Sequence, residues 1–530
     1  MEKMAHRFSF KTPEKIRLKP EWFPIFIILL LGFFLRFYRV RDYIVFLGDE
    51  GRDALVVYNI LHGDLTLLGP TSSVGGFFLG PIYYYLMTPF MFLSRFDPVG
   101  PAIMVVLFGV ATIYLVYRMG REFFNPLAGI IAAFLYAISP VVVTYSRSSW
   151  NPNVFPFFTI STLYVLYKAV VKNKISLFVL AGFLMGINLQ IHYLATFVGA
   201  IVFFYTLLAG FQLRVSYLKA LAKRYLSLLA GFLIGFSPFL LFEVRHQFTN
   251  TKNILEFIFN SPETGASGQF LVNVQHVFVR LFGGLVLAYP DFSKFHKFDP
   301  TVLQIWLVIS AFLGLVSVIF FLILFIKARA ESLELKKFLL IFIWALVGIG
   351  LFGLYKKSIY DYYLGFIFPV PFLLIGLLLS EVIIILKKPG KIIVLIILAC
   401  LFFLNLKYSP IANPGNNQVR QVKEISDFVI SKAGGKPYNF SISGIGNSDH
   451  AYRYFFKLDG REPVTILGID QDPDRKSVTD QLLVVCETNP CYPLGESRQE
   501  IAGFGRAEVA GQWDVSVLKV YKLIHYEGEE

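Results

Sequence analysis

The sequence predicts an all-α polytopic membrane protein with a small α/β domain at its C-terminus. Hydrophobic residues make up 55% of the 530 residues, and charged residues only 16%, against roughly 25% in soluble domains. The apolar residues also form eleven runs of about the 20 residues that a membrane-spanning helix needs. This composition excludes an ordinary soluble enzyme, a disordered chain and a disulfide-rich scaffold.

The eleven predicted spans lie between residues 22 and 406. They are 22–38, 99–117, 126–144, 154–171, 175–191, 194–211, 225–243, 301–326, 338–354, 362–386 and 392–406. One further apolar run, 77–94, is interrupted by Gly80, Pro81 and Pro89. Because such residues break helices, this run is predicted to be a juxtamembrane or re-entrant helix on the outer surface.

The distribution of positive charge predicts the orientation, because Lys and Arg concentrate in short cytoplasmic loops. If 77–94 does not cross, the short inner connections hold 16 Lys and Arg and the short outer ones hold 3. If 77–94 crosses, the bias reverses. The tail 1–21 is therefore predicted to be cytoplasmic. The net charge of +13 is ascribed to orientation and anionic lipid, and no nucleic acid partner is expected.

Residues 22–406 are predicted to form a transmembrane domain and 407–530 a soluble domain outside the cytoplasm. Two long outer loops, 39–98 and 244–300, interrupt the transmembrane part. In the soluble domain the apolar spacing predicts a helix over 417–432, and the runs 482–486 and 515–524 are typical of strands. Cys486 and Cys491 lie close together in this domain, where a disulfide can persist; two unpaired thiols are the alternative.

The first outer loop contains two neighbouring carboxylates, Asp49 and Glu50, at the start of a predicted helix over 51–62. One face of this helix is apolar, so it can lie on the membrane surface. Carboxylates held at the lipid boundary suit a general base or a metal site. The alternative for Asp49 is a helix N-cap.

Several basic residues oppose the positive-inside bias, which indicates an anionic partner. Arg36, Arg39 and Arg41 lie at the outer end of the first span, and Lys356 and Lys357 lie between two later spans. A phosphate at headgroup depth is a suitable partner for them. Ordinary lipid headgroups, or lysines that reach the interface, are the alternatives.

Short outer connections contain the remaining candidates. These are Arg147, Trp150 and Asn151 in YSRSSWNPN, His192, and Glu243, Arg245 and His246 in FEVRHQF. The alternatives are a plain turn, a structural histidine and an internal Glu243–Arg245 ion pair. No nucleotide motif is present in the sequence, and SGIGNS at 443–448 lacks the dinucleotide pattern.

Taken in order, these motifs resemble the membrane glycosyltransferases of the GT-C fold. The match is closest to the group that uses polyprenyl-phosphate sugars, which includes protein O-mannosyltransferases and lipid A aminoarabinose transferases. It rests on GDEGRDA (48–54), GPIYYYLMTPF (80–90), the basic loop and span 117–140, SRSSWNPN (146–153) and NLQIHYLATF (188–197). Some relatives have a metal-binding carboxylate where this sequence has Asn151, so a divalent metal on Asp49 and Glu50 stays an open expectation.

The resemblance implies sugar transfer from a polyprenyl-phosphate donor to a hydroxyl of a protein, lipid or glycan acceptor. Asp49 is then the expected base, with Glu50 second, and a single displacement inverts the anomeric centre. No nucleotide or soluble cofactor is required. A flippase or transporter, or a polymerase or ligase of lipid-linked glycans, is the alternative. The expected donor-binding residues are Arg52, Tyr83, Tyr84, Arg147, Asn151, His192, Arg245, His246, Lys356, Lys357 and Tyr362.

Overall fold

A computed structural model describes residues 22–72, 76–209, 215–260, 268–288, 300–329, 332–444, 446–488 and 490–528. Helices account for most of these residues, and a four-stranded sheet follows near the C-terminus. The predicted fold class is therefore confirmed. The predicted cytoplasmic tail 1–21 lies outside the described residues.

The helices up to residue 245 are mostly apolar. They are Trp22–Phe37, Val40–Tyr43, Gly48–Leu61, Ile82–Leu93, Val99–Phe123, Pro126–Ile138, Pro140–Tyr145, Asn151–Val154, Phe155–Lys172, Ile175–Ile191, Ala195–Leu208, Val215–Gly235 and Ser237–Arg245. Those that follow are Thr249–Asn260, Phe270–Val279, Arg280–Gly284, Pro300–Lys327, Leu333–Gly353, Asp361–Ile367, Pro369–Lys407, Pro410–Ala412, Gln418–Ala433, His450–Leu458 and Gln499–Phe504.

Five helices of the described part are long and apolar enough to cross a membrane, or six if one bent pair counts as a span. That pair joins Tyr217–Gly235 to Ser237–Arg245 at an angle of 70°, and a proline opens its second helix. The long helix Pro369–Lys407 leaves helical geometry at Lys387, so it covers two of the predicted spans. Five shorter apolar helices accompany these, and the count of eleven spans stays a prediction.

The run 77–94 contains one short helix, Ile82–Leu93, of 12 residues. At 1.5 Å per residue it extends about 18 Å, well short of the roughly 30 Å hydrocarbon core. A helix of this length agrees with the predicted juxtamembrane or re-entrant segment. Which side of the membrane it faces stays a prediction.

Gly48–Leu61, here called the acidic helix, packs between helix Ile82–Leu93 and helix His450–Leu458. Ala54 and Val57 are buried in the protein core. The expectation that this helix lies on the membrane surface is therefore wrong, because its apolar face is covered by protein.

The C-terminal domain, which follows Lys407, is a mixed sheet with helices. Its strands are Asn439–Ser443, Gln481–Cys486, Ala507–Val515 and Leu518–His525. Strand 439–443 pairs parallel to 481–486, which pairs antiparallel to 518–525, and 507–515 forms the far edge. The predicted helix 417–432 and strand 482–486 are confirmed. The predicted strand 515–524 is corrected, since a turn at Ser516 separates two strands.

Candidate active site

A cavity of about 580 Å³ lies where the acidic helix, the 145–153 connection and the C-terminal domain meet. Four of the candidates named from the sequence, Asp49, Glu50, Arg147 and Trp150, line it together. The other lining residues are Tyr43, Val45, Leu47, Gly48, Thr144, Tyr145, Ser148, Asn153, Pro410, Gly446, Asn447 and Ser448. The cavity therefore combines two acids, one guanidinium, several aromatic rings and neutral hydrogen-bonding groups.

Asp49 and Glu50 occupy the first turn of the acidic helix, where the helix dipole favours negative charge. The helix begins at Gly48, so Asp49 is not the N-cap. Asp49 is 55% exposed, whereas Glu50 is buried and its Oε2 accepts the Leu47 N–H at 3.1 Å. Burial raises the pKa of Glu50 to about 7. Asp49 thus faces solvent in the cavity wall, and Glu50 fixes the turn that presents it.

Arg52 binds two carboxylates of the acidic helix at once. Its Nη1 donates to Asp49 Oδ1 at 2.9 Å, and its Nη2 and Nε donate to Asp53 Oδ1 at 2.8 and 3.1 Å. Asp53 is fully buried, and burial raises its pKa to about 6 against the opposing effect of Arg52. Asp53 was not among the predicted site residues, although it directly follows Arg52 in the GDEGRDA motif.

The described residues do not fit a divalent metal site. Among them no group of three or more His, Cys, Asp or Glu side chains could hold a metal ion. Arg52 already occupies one oxygen of Asp49, and the Leu47 N–H occupies one oxygen of Glu50.

Arg147 lies in the cavity wall and also holds the end of the first helix. Its Nη1 and Nη2 donate to the carbonyl oxygens of Leu35 and Tyr38, both at 2.6 Å. Its guanidinium lies 4.6 Å from the centre of the Tyr43 ring. These bonds satisfy carbonyls that a helix terminus leaves without partners, and they hold a positive charge in the wall of the cavity that Asp49 and Glu50 also line.

A second group of predicted residues lies behind the cavity and not in its wall. The Asn151 amide donates to the Ile191 carbonyl at 2.7 Å, and the Tyr83 hydroxyl contacts Ser149 Oγ at 2.8 Å. His192 is buried and stacks on Phe155. Tyr362 reaches the cavity indirectly, since its ring lies 4.5 Å from that of Trp150. These side chains support the wall from behind.

Tyr84 lies next to the acidic pair but does not line the cavity either. It is buried on helix Ile82–Leu93, and its hydroxyl interacts with Arg52 and Asp53. Its predicted contact with a sugar is replaced by this contact with the Arg52 group.

The remaining predicted residues lie away from the cavity lining. Arg245 and His246 are exposed at the end of a helix, and Lys356 and Lys357 follow helix Leu333–Gly353. The Glu243–Arg245 ion pair is wrong, because Glu243 is buried and instead accepts the Thr251 N–H at 2.7 Å.

The three arginines after the first span have partners within the protein. Arg36 is buried and donates to the Gly32 and Ala137 carbonyls at 3.0 and 2.9 Å. Arg39 pairs with Asp42, and Arg41 with Asp97. These local contacts fix the chain between the first span and the acidic helix, and the phosphate site expected from these arginines stays a prediction.

The C-terminal domain supplies lining residues that sequence analysis missed. Gly446, Asn447 and Ser448 close one side of the cavity, and the Gly48 N–H donates to Asn447 Oδ1 at 2.9 Å. The run SGIGNS was noticed only for its glycines. Nothing in the sequence could have paired it with a motif 399 residues away.

Comparison with known proteins identifies the fold. The model of the dolichyl-phosphate-mannose-protein mannosyltransferase family matches residues 79–242. The proposed mannosyltransferase YkcB of Bacillus subtilis (strain 168) is 28% identical over 121 residues, which are 22% of this chain and 17% of YkcB. The chain therefore spans only a small part of this curated relative.

Two solved structures share the fold over most of the chain. ArnT from Cupriavidus metallidurans, bound to undecaprenyl phosphate, has a TM-score of 0.60 at 11% identity and covers 94% of this chain and 97% of its own. The Archaeoglobus fulgidus oligosaccharyltransferase AglB, with an inhibitory peptide and a dolichol-phosphate, has a TM-score of 0.54 at 16% identity over 88% of this chain and 69% of its own. The match to the apo form of the same oligosaccharyltransferase covers 84% of this chain and 64% of that protein, so this chain spans less than two thirds of its length.

The class of protein that these findings define is the GT-C fold of membrane glycosyltransferases, and the chain is an integral membrane protein. The predicted resemblance to the polyprenyl-phosphate-dependent group is confirmed. The solved structures show the fold of this chain, and the family model and YkcB each match a part of it.

Proposed function

We propose that this protein transfers a sugar from a polyprenyl-phosphate donor to a hydroxyl acceptor on the outer face of the membrane. The observation that carries the proposal is that Asp49, Glu50 and Arg147 line the same cavity. The ligands of the relatives support the donor class, since ArnT was solved with undecaprenyl phosphate and AglB with a dolichol-phosphate.

Asp49 is the proposed general base. An acceptor hydroxyl must lose its proton as it attacks the anomeric carbon, and a positioned carboxylate can take that proton. Arg52 binds Asp49 Oδ1, so this carboxylate is held in one orientation and its second oxygen can face the acceptor. A single attack opposite the leaving group inverts the anomeric centre.

The leaving group is a polyprenyl phosphate, on which negative charge grows as the sugar departs. A fixed cation in a site shielded from water stabilises such charge. Arg147 is the proposed cation, because it lies in the cavity wall and its bonds to Leu35 and Tyr38 hold it in place. Arg52 and the lysines at 356 and 357 are secondary candidates from the resemblance.

The aromatic rings of the cavity suit a sugar. Tyr43, Tyr145 and Trp150 line it, and Tyr362 packs behind Trp150. Ring faces pack against the apolar side of a pyranose, while Asn153 and Ser448 offer polar groups to its hydroxyls. The acceptor, whether protein, lipid or glycan, reaches the same cavity from the side of the C-terminal domain.

The contacts of Arg52 also bear on whether transfer needs a divalent metal ion. Arg52 places positive charge on the carboxylates that a cation would otherwise neutralise. Transfer is therefore expected to continue in EDTA. Loss of activity in EDTA that added Mg²⁺ or Mn²⁺ restores would instead support the metal expected from some relatives.

The direct test is transfer by the purified protein from a panel of undecaprenyl- and dolichyl-phosphate sugars, with mass spectrometry of the products. Asp49→Asn is expected to abolish transfer and to retain donor binding. Asp64→Asn, at an exposed acid just beyond the acidic helix, is the matched control. NMR of the product reports whether the anomeric centre is inverted.

The alternative of a flippase predicts a different result. Such a protein would move a lipid-linked glycan across vesicles and release no glycosylated product. Full transfer by Asp49→Asn would remove the proposed base, and translocation without transfer would favour the flippase. A polymerase or ligase would give products from lipid-linked oligosaccharides and none from monosaccharide donors.

A further inference from the structure

The C-terminal domain lies so close to the acidic helix that any side chain larger than hydrogen at Gly48 or Gly51 would collide with it. A Cβ at Gly48 would lie 2.1 Å from Ser448 Oγ, and a Cβ at Gly51 would lie 2.3 Å from the Ala451 nitrogen. The two glycines of the GDEG sequence therefore permit backbone contact between two segments that lie far apart in the chain. The side chains between them, Asp49 and Glu50, line the cavity at this junction.

The contact is organised by one amide, that of Asn447. Its Oδ1 accepts the N–H groups of Gly48 and Ser448, each at 2.9 Å. Its Nδ2 donates to both carboxylate oxygens of Glu487, each at 2.9 Å. An ionised carboxylate only accepts hydrogen bonds, so Glu487 determines which way the amide points.

Glu487 is itself held on a rigid element. It follows Cys486 at the end of strand Gln481–Cys486, and its N–H donates to the Ser443 carbonyl at 2.8 Å. The Tyr452 hydroxyl donates to Glu487 Oε1 at 3.1 Å. The Cys486–Cys491 disulfide closes the segment that follows. The position of Glu487 is therefore fixed by the sheet, a tyrosine and a covalent link.

We propose that Glu487 and Asn447 are positioning residues of the transfer reaction. Glu487 orients the Asn447 amide, Asn447 holds the Gly48 N–H, and this bond sets the first turn of the acidic helix that presents Asp49. The proposal rests on the function proposed above, and it makes the C-terminal domain a part of the active site. Neither residue touches the reacting atoms.

Exchanging the amide and the carboxylate tests this chain of bonds. In Glu487→Gln one of the two acceptors that face Asn447 Nδ2 becomes an NH₂ donor, so the Asn447 amide is no longer held in a single orientation and can present its NH₂ to the Gly48 N–H. In Asn447→Asp two carboxylates face each other. In the double variant N447D/E487Q, the carboxylate introduced at position 447 accepts from Gly48, from Ser448 and from the amide introduced at position 487. Every bond then has a donor and an acceptor again.

Two measurements report the effect of each variant. Hydrogen–deuterium exchange of the peptide spanning residues 44–56 is expected to rise in each single variant and to return to the wild-type level in the double variant. The kcat for transfer is expected to fall roughly 10- to 100-fold in each single variant, as for a misplaced catalytic group, with donor affinity unchanged. Asn447→Asp is expected to recover activity as the pH is lowered, because one proton relieves the repulsion.

Glu508→Gln, at an exposed glutamate of the edge strand Ala507–Val515, is the matched control. Wild-type exchange and kcat in Glu487→Gln would overturn the proposal. If a single variant does not fold, the double variant decides: recovered folding and kcat support the pairing, and a folded double variant with low kcat contradicts it. If no wild-type transfer is found, the proposed function fails, and the exchange measurement still decides whether Glu487 sets the turn.

Discussion

The guanidinium of Arg52 donates two hydrogen bonds to a single oxygen of Asp53, which is fully buried. The other oxygen of Asp53 is buried and makes no hydrogen bond of ordinary geometry in the described part of the chain, although the Tyr84 hydroxyl lies close enough to the carboxylate to interact with it. Desolvating a carboxylate is costly unless it is paired. Arg52 is therefore required to keep Asp53 charged inside the protein, and the same guanidinium reaches Asp49 in the cavity wall.

Arg52→Gln is predicted to destabilise the protein by about 3 kcal/mol, as expected when one partner of a buried pair is lost. The loss of stability should be larger at pH 8 than at pH 5. Asp53, whose pKa burial already raises to about 6, can escape the penalty at low pH by binding a proton. Thermal unfolding in detergent at both pH values measures this. Arg39→Gln removes an exposed pair and should have little effect; equal losses in both variants would contradict the assignment.

Arg147→Gln is predicted to lower kcat roughly 100-fold, the usual cost of removing a group that stabilises charge in the transition state. Arg147→Lys should retain part of the activity, because it keeps the charge but loses the bonds to Leu35 and Tyr38. Arg245→Gln, at an exposed arginine outside the cavity lining, is the control. A fall in thermal stability with unchanged kcat would assign Arg147 to helix anchoring alone.

The fold was predictable because hydropathy is a local signal that each apolar run shows by itself. The helix break at Lys387 falls between the predicted spans 362–386 and 392–406. The break at Ser139 was missed, because the predicted span 126–144 runs through it. Strand Asn439–Ser443 was missed although its sequence, NFSIS, alternates polar and apolar residues; it is only five residues long, and its polar side chains are buried as well.

The candidate site was predictable in part for the same reason. Asp49, Glu50 and Arg147 stood out as charges near apolar runs, and the cavity contains all three. The sequence could not separate them from His192 or Asn151, which are equally polar but turn into the protein. The contact between Gly48 and Asn447 arises only when distant segments fold together.

Glu50→Gln is predicted to increase stability at high pH while it lowers transfer. The pKa of Glu50 rises from 4.5 to about 7 on folding. The carboxyl therefore favours the folded state below pH 4.5, and this contribution is lost as the pH rises through 7. A pKa difference of this size lowers the free energy of unfolding by about 3 kcal/mol at pH 8. The neutral amide of the variant does not carry that cost. The variant should unfold at a higher temperature than wild type at pH 8 and at the same temperature near pH 4.

The kcat/KM of the wild type is expected to change near pH 7, as Glu50 ionises. The pH profile of Glu50→Gln should lack this step. Positive charge develops on the anomeric carbon in glycosyl transfer, as in glycoside hydrolysis, so the ionised form of Glu50 should be the more active one. Glu122→Gln, at an acid that pairs with Lys168 far from the cavity, is the control. An unchanged profile in Glu50→Gln would assign Glu50 to the turn alone.

The Cys486–Cys491 disulfide is predicted to support both the C-terminal domain and the site. Replacing both cysteines with serine should cost about 2 kcal/mol, because the link closes a short loop in the unfolded chain. Transfer should also fall, since Glu487 lies directly inside the closed segment and orients Asn447. Thermal unfolding and kcat measured with and without a thiol reductant check both effects. Cys400→Ser, at an exposed free cysteine, is the control, and an unaltered kcat in the double serine variant would show that the sheet and Tyr452 suffice to hold Glu487.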